Sequence, residues 1–240
     1  MKERYSDAIT DPSLKELNEF AGWYNEKLGN YPVIVGGWAV YCYTKGLGSK
    51  DIDVVFLGDA AKHQTLFDYF HAHSYAERRR TFFDKEFVKI VKNQGREVEL
   101  IIDAVSSGRT IIFPGKEARL PWSWAVRHSM LHEIGSSKIY IPVIELLLTY
   151  KLGAIFGRNI ELKTGFEFDY YKSKIWKDVY DVVSLSSLKV DPRRVNKFLA
   201  DAHLAAYKDE ILTIMEDNFD EEMRALLNGN TLSNIRKILG

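Results

Sequence analysis

The chain has 240 residues, 46% of them hydrophobic and 28% charged, with 33 basic and 33 acidic side chains that cancel. This is ordinary globular composition, with room for one large domain or two small ones. The zero balance argues against coating nucleic acid by bulk electrostatics, although a local basic groove stays open. A single cysteine, Cys42, excludes an internal disulfide and a cysteine-rich metal site. The opening MKERYSDAITDPSLKEL is too polar for a signal peptide, and no apolar run is long enough to span a bilayer. A cytoplasmic protein with no membrane partner is therefore expected.

Leu14, Leu17, Phe20, Ala21 and Tyr24 recur at helical spacing and predict a helix from about Pro12 to Leu28, with Asp11 as N-cap. YPVIVGG then predicts a short buried strand, GWAVYCYTKGLG a helix closed by glycines, and DIDVVFLG a second strand. AAKHQTLFDYFHAHSY reads as an amphipathic helix. EFVKIVKNQGREVELIIDAV reads as a hairpin turning at Asn93–Gly95. After the polar link SSGRT and the mixed stretch LPWSWAVRHSMLHEI, the pattern from KIYIPVIELLLTYKLGAIFGR onward is almost wholly helical. The expected class is α+β: a mixed sheet flanked by helices over residues 1–140, and a helical domain over 141–240 that completes the cleft.

The pattern in VIVGGWAVYCYTKGLGSKDIDVVF carries the chemistry. On a strand, residues two apart share a face, so Asp51 and Asp53 project together while Ile52 and Val54 turn to the core. Carboxylates this close repel unless one is protonated or a cation lies between them, and a hard ion such as Mg²⁺ suits their oxygens. On REVELIIDAV, Glu97, Glu99, Ile101 and Asp103 share a face. A third carboxylate from that strand would complete a two-metal site for in-line phosphoryl displacement. Gly36 and Gly37 allow close backbone approach, and the helix they open offers N–H groups to phosphate. Ser49 and Lys50 add a hydroxyl and an ammonium beside Asp51.

This order of motifs resembles the nucleotidyltransferase superfamily of DNA polymerase β: a hydrophobic residue and Gly-Gly, an alternating acidic pair, then a third acid on a later strand. ELLLTYKLGAIFGR…KSKIWKDVYDVVSL, from Glu145 to Leu185, is further similar to the helical segment of AbiEii-like nucleotidyltransferases, some of which are toxins of toxin–antitoxin pairs. The resemblance implies Mg²⁺ ions, two of them and replaceable by Mn²⁺, on Asp51, Asp53 and Asp103, with Glu99 as the alternative third ligand. It implies a nucleoside triphosphate such as ATP held by Gly36, Gly37, Ser49, Lys50 and Lys151. Arg158, Lys177, Asp178 and Asp181 would line the cleft. Expected partners are an RNA acceptor, tRNA among the candidates, and an antitoxin-type protein. A small-molecule acceptor, a protein hydroxyl and a non-catalytic nucleotide-binding module are the alternatives. The stretch NIELKTGFEFDYYKS between Arg158 and Lys174 departs from the family pattern and could meet a large substrate or a partner.

Other features read as structural. His128 and His132 lack a third metal ligand, and His71 and His73 are spaced so as not to face each other. GLGSK lacks the glycine spacing of a phosphate loop, and ERRR from Glu77 to Arg80 reads as a solvated turn. Trp122 and Trp124 read as packing residues, and Cys42 is not placed as a nucleophile.

Overall fold

The computed structural model describes residues 2–56, 60–79, 85–165, 167–227, 229 and 231–240. The chain divides into two compact units, Met1–Thr110 with Pro121–Val143, and Ile111–Leu120 with Ile144–Gly240. Among the described residues no helix is long and apolar enough to cross a membrane.

The first unit runs α1 (Asp7–Leu28), β1 (Val33–Val35), α2 (Gly36–Thr44), β2 (Asp51–Phe56), α3 (Ala60–Ala72), β3 (Ala76–Arg79), β4 (Lys85–Asn93) and β5 (Arg96–Ser106). A small ribbon of β6 (Thr110–Ile112) and β7 (Arg119–Pro121) follows, then α4 (Ser123–Arg127), β8 (Ser129–Ile134) and β9 (Ser137–Pro142). Among the described residues seven strands form one sheet in the order β3-β4-β5-β2-β1-β9-β8. The β2–β5 and β1–β9 pairs are parallel and the β1–β2, β3–β4, β4–β5 and β8–β9 pairs antiparallel, so the sheet is mixed, as the α+β reading expects.

Helix α1 begins earlier than its sequence suggests. Ser6 is its N-cap, and Pro12 lies inside it. A proline there cannot donate to the carbonyl four residues back. That carbonyl, on Ala8, instead accepts a hydrogen bond of 2.8 Å from Asn93 Nδ2 at the tip of the β4–β5 hairpin. The apolar face drawn from the sequence is buried at Leu17, Phe20, Ala21 and Tyr24. Phe20 meets Tyr69 and Phe70 of α3 at centroid distances of 5.5 and 5.9 Å, and Phe70 stacks on Phe87 of β4 at 4.0 Å. These rings join both helices to the sheet. Beneath them Lys89 Nζ pairs with the buried Glu16 Oε2 at 2.7 Å. Burial, then the negative charge of Glu16, pushes the phenols of Tyr69 and Tyr75 far above their usual range.

The second unit is helical: α5 (Ile144–Leu162), α6 (Phe168–Ser186), α7 (Pro192–Asp201), α8 (Lys208–Asp217), α9 (Glu221–Leu226) and α10 (Ser233–Leu239). Helix α7 starts with Pro192, and the side chain of Asp191 accepts from Arg193 N at 2.9 Å. The segment from Ile111 to Leu120 lies against α5. A Cβ on Gly153 would collide with Leu120 Cδ1, and one on Gly157 would meet Phe113 at 3.2 Å. Side-chain-free positions at i and i+4 therefore let this segment close on the helix.

The β4–β5 turn has positive φ at both Gln94 (48°) and Gly95 (75°). Two-residue turns of this kind favour asparagine before glycine, since glutamine does not tolerate the left-handed region well. Gln94→Asn should raise stability by about 1 kcal/mol, read as a higher denaturant midpoint at unchanged slope.

Candidate active site

Strand register builds a row of charged residues across four strands. Asp53 of β2 is the direct neighbour of Asp103 on β5, Asp103 faces Glu86 on β4, and Glu86 faces Arg78 on β3. Lateral neighbours in a sheet share a face. Asp51, two residues before Asp53, lies on that face beside Ile101. The three aspartates are half-buried, while Ile52 and Val54, which alternate with Asp51 and Asp53, are each 1% exposed in the core.

The paired glycines are coupled to the acids. Gly36 opens α2 with φ of +66°, and a Cβ there would collide with Oδ2 of Asp53. A Cβ on Gly37 would lie 2.8 Å from both Cβ and Oγ of Ser49. The turn is therefore glycine for two reasons: its backbone conformation, and the space taken by the Asp53 carboxylate and the buried Ser49. Asp53 rests against the first turn of α2, where free N–H groups and the helix dipole favour negative charge.

Glu99 and Lys50 bond to each other. Lys50 Nζ lies 3.1 Å from Glu99 Oε2, and Arg78 Nη2 is 2.5 Å from Glu99 Oε1. Burial works to raise the Glu99 carboxyl, but hydrogen bonds and charge from Arg78 and Lys50 outweigh it and hold the group below the usual glutamate range. Arg78 also reaches Glu86 Oε1 at 3.1 Å. ERRR is thus no solvated turn where it is described: Glu77, Arg78 and Arg79 lie on β3, and Arg78 holds two carboxylates. Arg80 lies outside the described residues.

Sequence reasoning missed Glu86, a 1%-exposed carboxylate. The hairpin itself held the signal. Counting back seven steps from the Asn93–Arg96 pair that closes the turn brings Glu86 opposite Asp103. As for a metal, Asp51, Asp53 and Asp103 are an all-oxygen donor set on one face, which suits a hard divalent ion. Among the described residues no three or more His, Cys, Asp or Glu side chains come together closely enough to hold a metal ion as they stand.

In the second unit Lys151 of α5 is 8% exposed, so it is not a solvated helix lysine. Its Nζ is 2.8 Å from Asp178 Oδ1 and 2.8 Å from Asp181 Oδ2, both on α6. Arg158 pairs with Asp178, and Lys177 with Asp181. Within this set three cations meet two carboxylates. Burial pulls the Lys177 ammonium down to about 8, with Asp181 opposing that shift and Lys151 adding to it.

The two histidine pairs form no shared site. His128 ends the short α4 while His132 lies on β8, and His73 follows α3 with Nδ1 2.8 Å from the carbonyl of Tyr69. Cys42 is buried, and that burial raises its thiol to about 11, the reverse of an activated nucleophile.

No protein-family model matches the chain, and no curated protein is similar to it. Among solved structures, JHP933 from Helicobacter pylori aligns over 97% of this chain and 94% of its own, with a TM-score of 0.52 and 13% identity, and shares the fold. An antigenic nucleotidyltransferase-like protein from Paracoccidioides brasiliensis aligns over 87% of this chain and 94% of its own, with a TM-score of 0.49 and 15% identity.

Gly36→Ala should destabilise the first unit by more than the 1–2 kcal/mol or so that a left-handed alanine costs, because the methyl also displaces Asp53. In an Asp53→Ala background that excess should vanish, and a double-mutant cycle by denaturant unfolding reads the difference. For Lys177, the folded value of about 8 lies below the ordinary lysine value. Between the two the unfolded chain binds a proton that the folded chain does not, so stability from this residue rises with pH. It is fully present above the ordinary lysine value and lost as pH falls through about 8. Lys177→Met should flatten that rise in unfolding midpoints measured across the interval.

Proposed function

We propose that this protein is a metal-dependent nucleotidyltransferase of the AbiEii-like kind, moving a nucleoside monophosphate from a nucleoside triphosphate to an acceptor hydroxyl, with an RNA end as the favoured acceptor. The observation that carries the reading is the contact of Asp53 with the Gly36 turn, combined with the register of Asp53 opposite Asp103. One strand–turn–helix then offers carboxylate oxygens and helix N–H groups within a few ångströms of each other, which is what a triphosphate with its counter-ion requires.

In this reading Asp51, Asp53 and Asp103 hold Mg²⁺ or Mn²⁺, which supplies Lewis-acid polarisation of a phosphoryl oxygen and a more acidic acceptor hydroxyl. The backbone of Gly36 and Gly37 and the hydroxyl of Ser49 orient the phosphates. One carboxylate of the row takes the proton of the acceptor hydroxyl as its oxygen attacks the α-phosphorus. The bond from that phosphorus to the bridging oxygen breaks, and pyrophosphate leaves. Lys50 keeps Glu99 engaged and lends positive charge beside Asp51. Lys151, which pairs with Asp178 and Asp181, serves in this reading as a phosphate- or substrate-binding group of the second unit.

Incubation with Mg²⁺, each α-³²P-labelled nucleoside triphosphate and total RNA tests the reading. Label on RNA is expected from the wild type, and Asp51→Asn/Asp53→Asn should lower it by at least two orders of magnitude, the scale on which single preorganised catalytic groups count. Nucleotide binding without transfer to RNA, protein or small-molecule acceptors would instead identify a non-catalytic binding module.

A further inference from the structure

Four charged side chains form a chain of ion pairs across the sheet of the first unit. Arg78 stands on β3, at one end of the strand order. Its Nη1 lies 3.1 Å from Glu86 Oε1 on the neighbouring β4. Its Nη2 reaches past that strand to Glu99 Oε1 on β5, at 2.5 Å. The other oxygen of Glu99 takes Lys50 Nζ at 3.1 Å.

Both ends of this chain adjoin the candidate metal ligands. Glu86 is the cross-strand neighbour of Asp103, and Lys50 directly precedes Asp51. Glu99 shares the face of Asp103 by strand alternation. The face that carries Asp51, Asp53 and Asp103 therefore carries Glu86 and Glu99 as well. The Glu86 side chain is wholly buried, so water does little to screen its charge. A guanidinium suits the centre of this chain: its planar fork offers donors to two carboxylates at once, which the point charge of a lysine does not. Arg78 and Lys50 together match Glu86 and Glu99 in charge, so the set as a whole adds none to the three aspartates.

We propose that Arg78 is a positioning residue that limits the metal-binding acids to Asp51, Asp53 and Asp103 by holding Glu86 and Glu99 in ion pairs. The affinity of an oxygen site for a divalent ion follows the number of charged ligands. Without Arg78, Glu86 would add its charge beside Asp103, and Glu99 would keep Lys50 alone of these two cations. The face would then hold a divalent ion more tightly and through more oxygens. In-line transfer requires the reverse, an ion with positions open to phosphate. The inference rests on the metal-dependent reading. It assigns Glu99, the alternative third ligand by resemblance, to the ion pairs instead, and it gives the ERRR segment a role through Arg78.

The test is Mn²⁺ binding, followed by electron paramagnetic resonance without nucleotide or acceptor. The wild type should bind Mn²⁺, and Asp51→Asn/Asp53→Asn should abolish that binding. Arg78→Gln should tighten it by about tenfold, the scale of one nearby unit charge. Arg78→Gln/Glu99→Gln, which removes one charge of each sign, should return to wild-type affinity. Glu99→Gln alone leaves a cation over and should weaken binding. Should Arg78→Gln not fold, Lys50→Gln, at a partly exposed residue, disturbs the same balance and should also tighten binding. A purely architectural role for Arg78 predicts the opposite sign, because a disordered row of acids binds metal less well. Wild-type binding that Arg78→Gln leaves unchanged or weakens overturns this inference alone. No binding by the wild type overturns the metal-dependent reading and this inference with it. If the series behaves as expected while no label is ever transferred, the catalytic reading fails alone.

Discussion

The Asp53 carboxylate occupies the space that a side chain at Gly36 would fill, and the organisation of the first unit depends on that contact. It ties the β1–α2 turn to the middle of β2. Only an antiparallel pairing that sets Val35 beside Asp53 brings the two together. Because β2 is also parallel to β5 in a register that matches Asp53 with Asp103, the same contact locates a second acid. Glycine is required there by geometry and by charge together. A larger residue would push the carboxylate off the helix end that favours it.

A row of acids across adjacent strands is costly unless each charge is met. The sheet divides the problem. Arg78 takes Glu86 of the row and Glu99 of β5, and Lys50 shares Glu99, so these two carboxylates are held by cations of the chain itself. Asp51, Asp53 and Asp103 make up the other end, with the helix N-terminus beside them. Glu99 and Asp103 are equivalent by strand alternation: the first bonds Lys50 and Arg78, and the second is the direct neighbour of Asp53.

The second unit handles buried charge differently. Lys151, Arg158 and Lys177 share two aspartates on α6. Such a network stabilises through complete pairing rather than through the attraction of any one pair, because desolvation offsets most of the Coulomb gain.

The sequence by itself determined much of this. Alternation placed Asp51 and Asp53 on one face, since the side-chain period of a strand is a local property. Helical spacing identified the buried face of α1, and the Asn93–Gly95 turn located the hairpin. Positive-φ demand and motif order marked Gly36 and Gly37. Tertiary structure alone decided the rest. Whether Pro12 lies inside α1 depends on a side chain 81 positions away, Asn93, that satisfies the carbonyl it strands. Which acid of β5 meets the pair on β2 depends on parallel register, which no local pattern encodes. Whether Lys50 or Lys151 is solvated or paired depends on partners 49 and 27 residues distant. Local periodicity follows from the covalent geometry of the chain, whereas ion pairing and register follow from which segments meet, and that is settled only when the whole core packs.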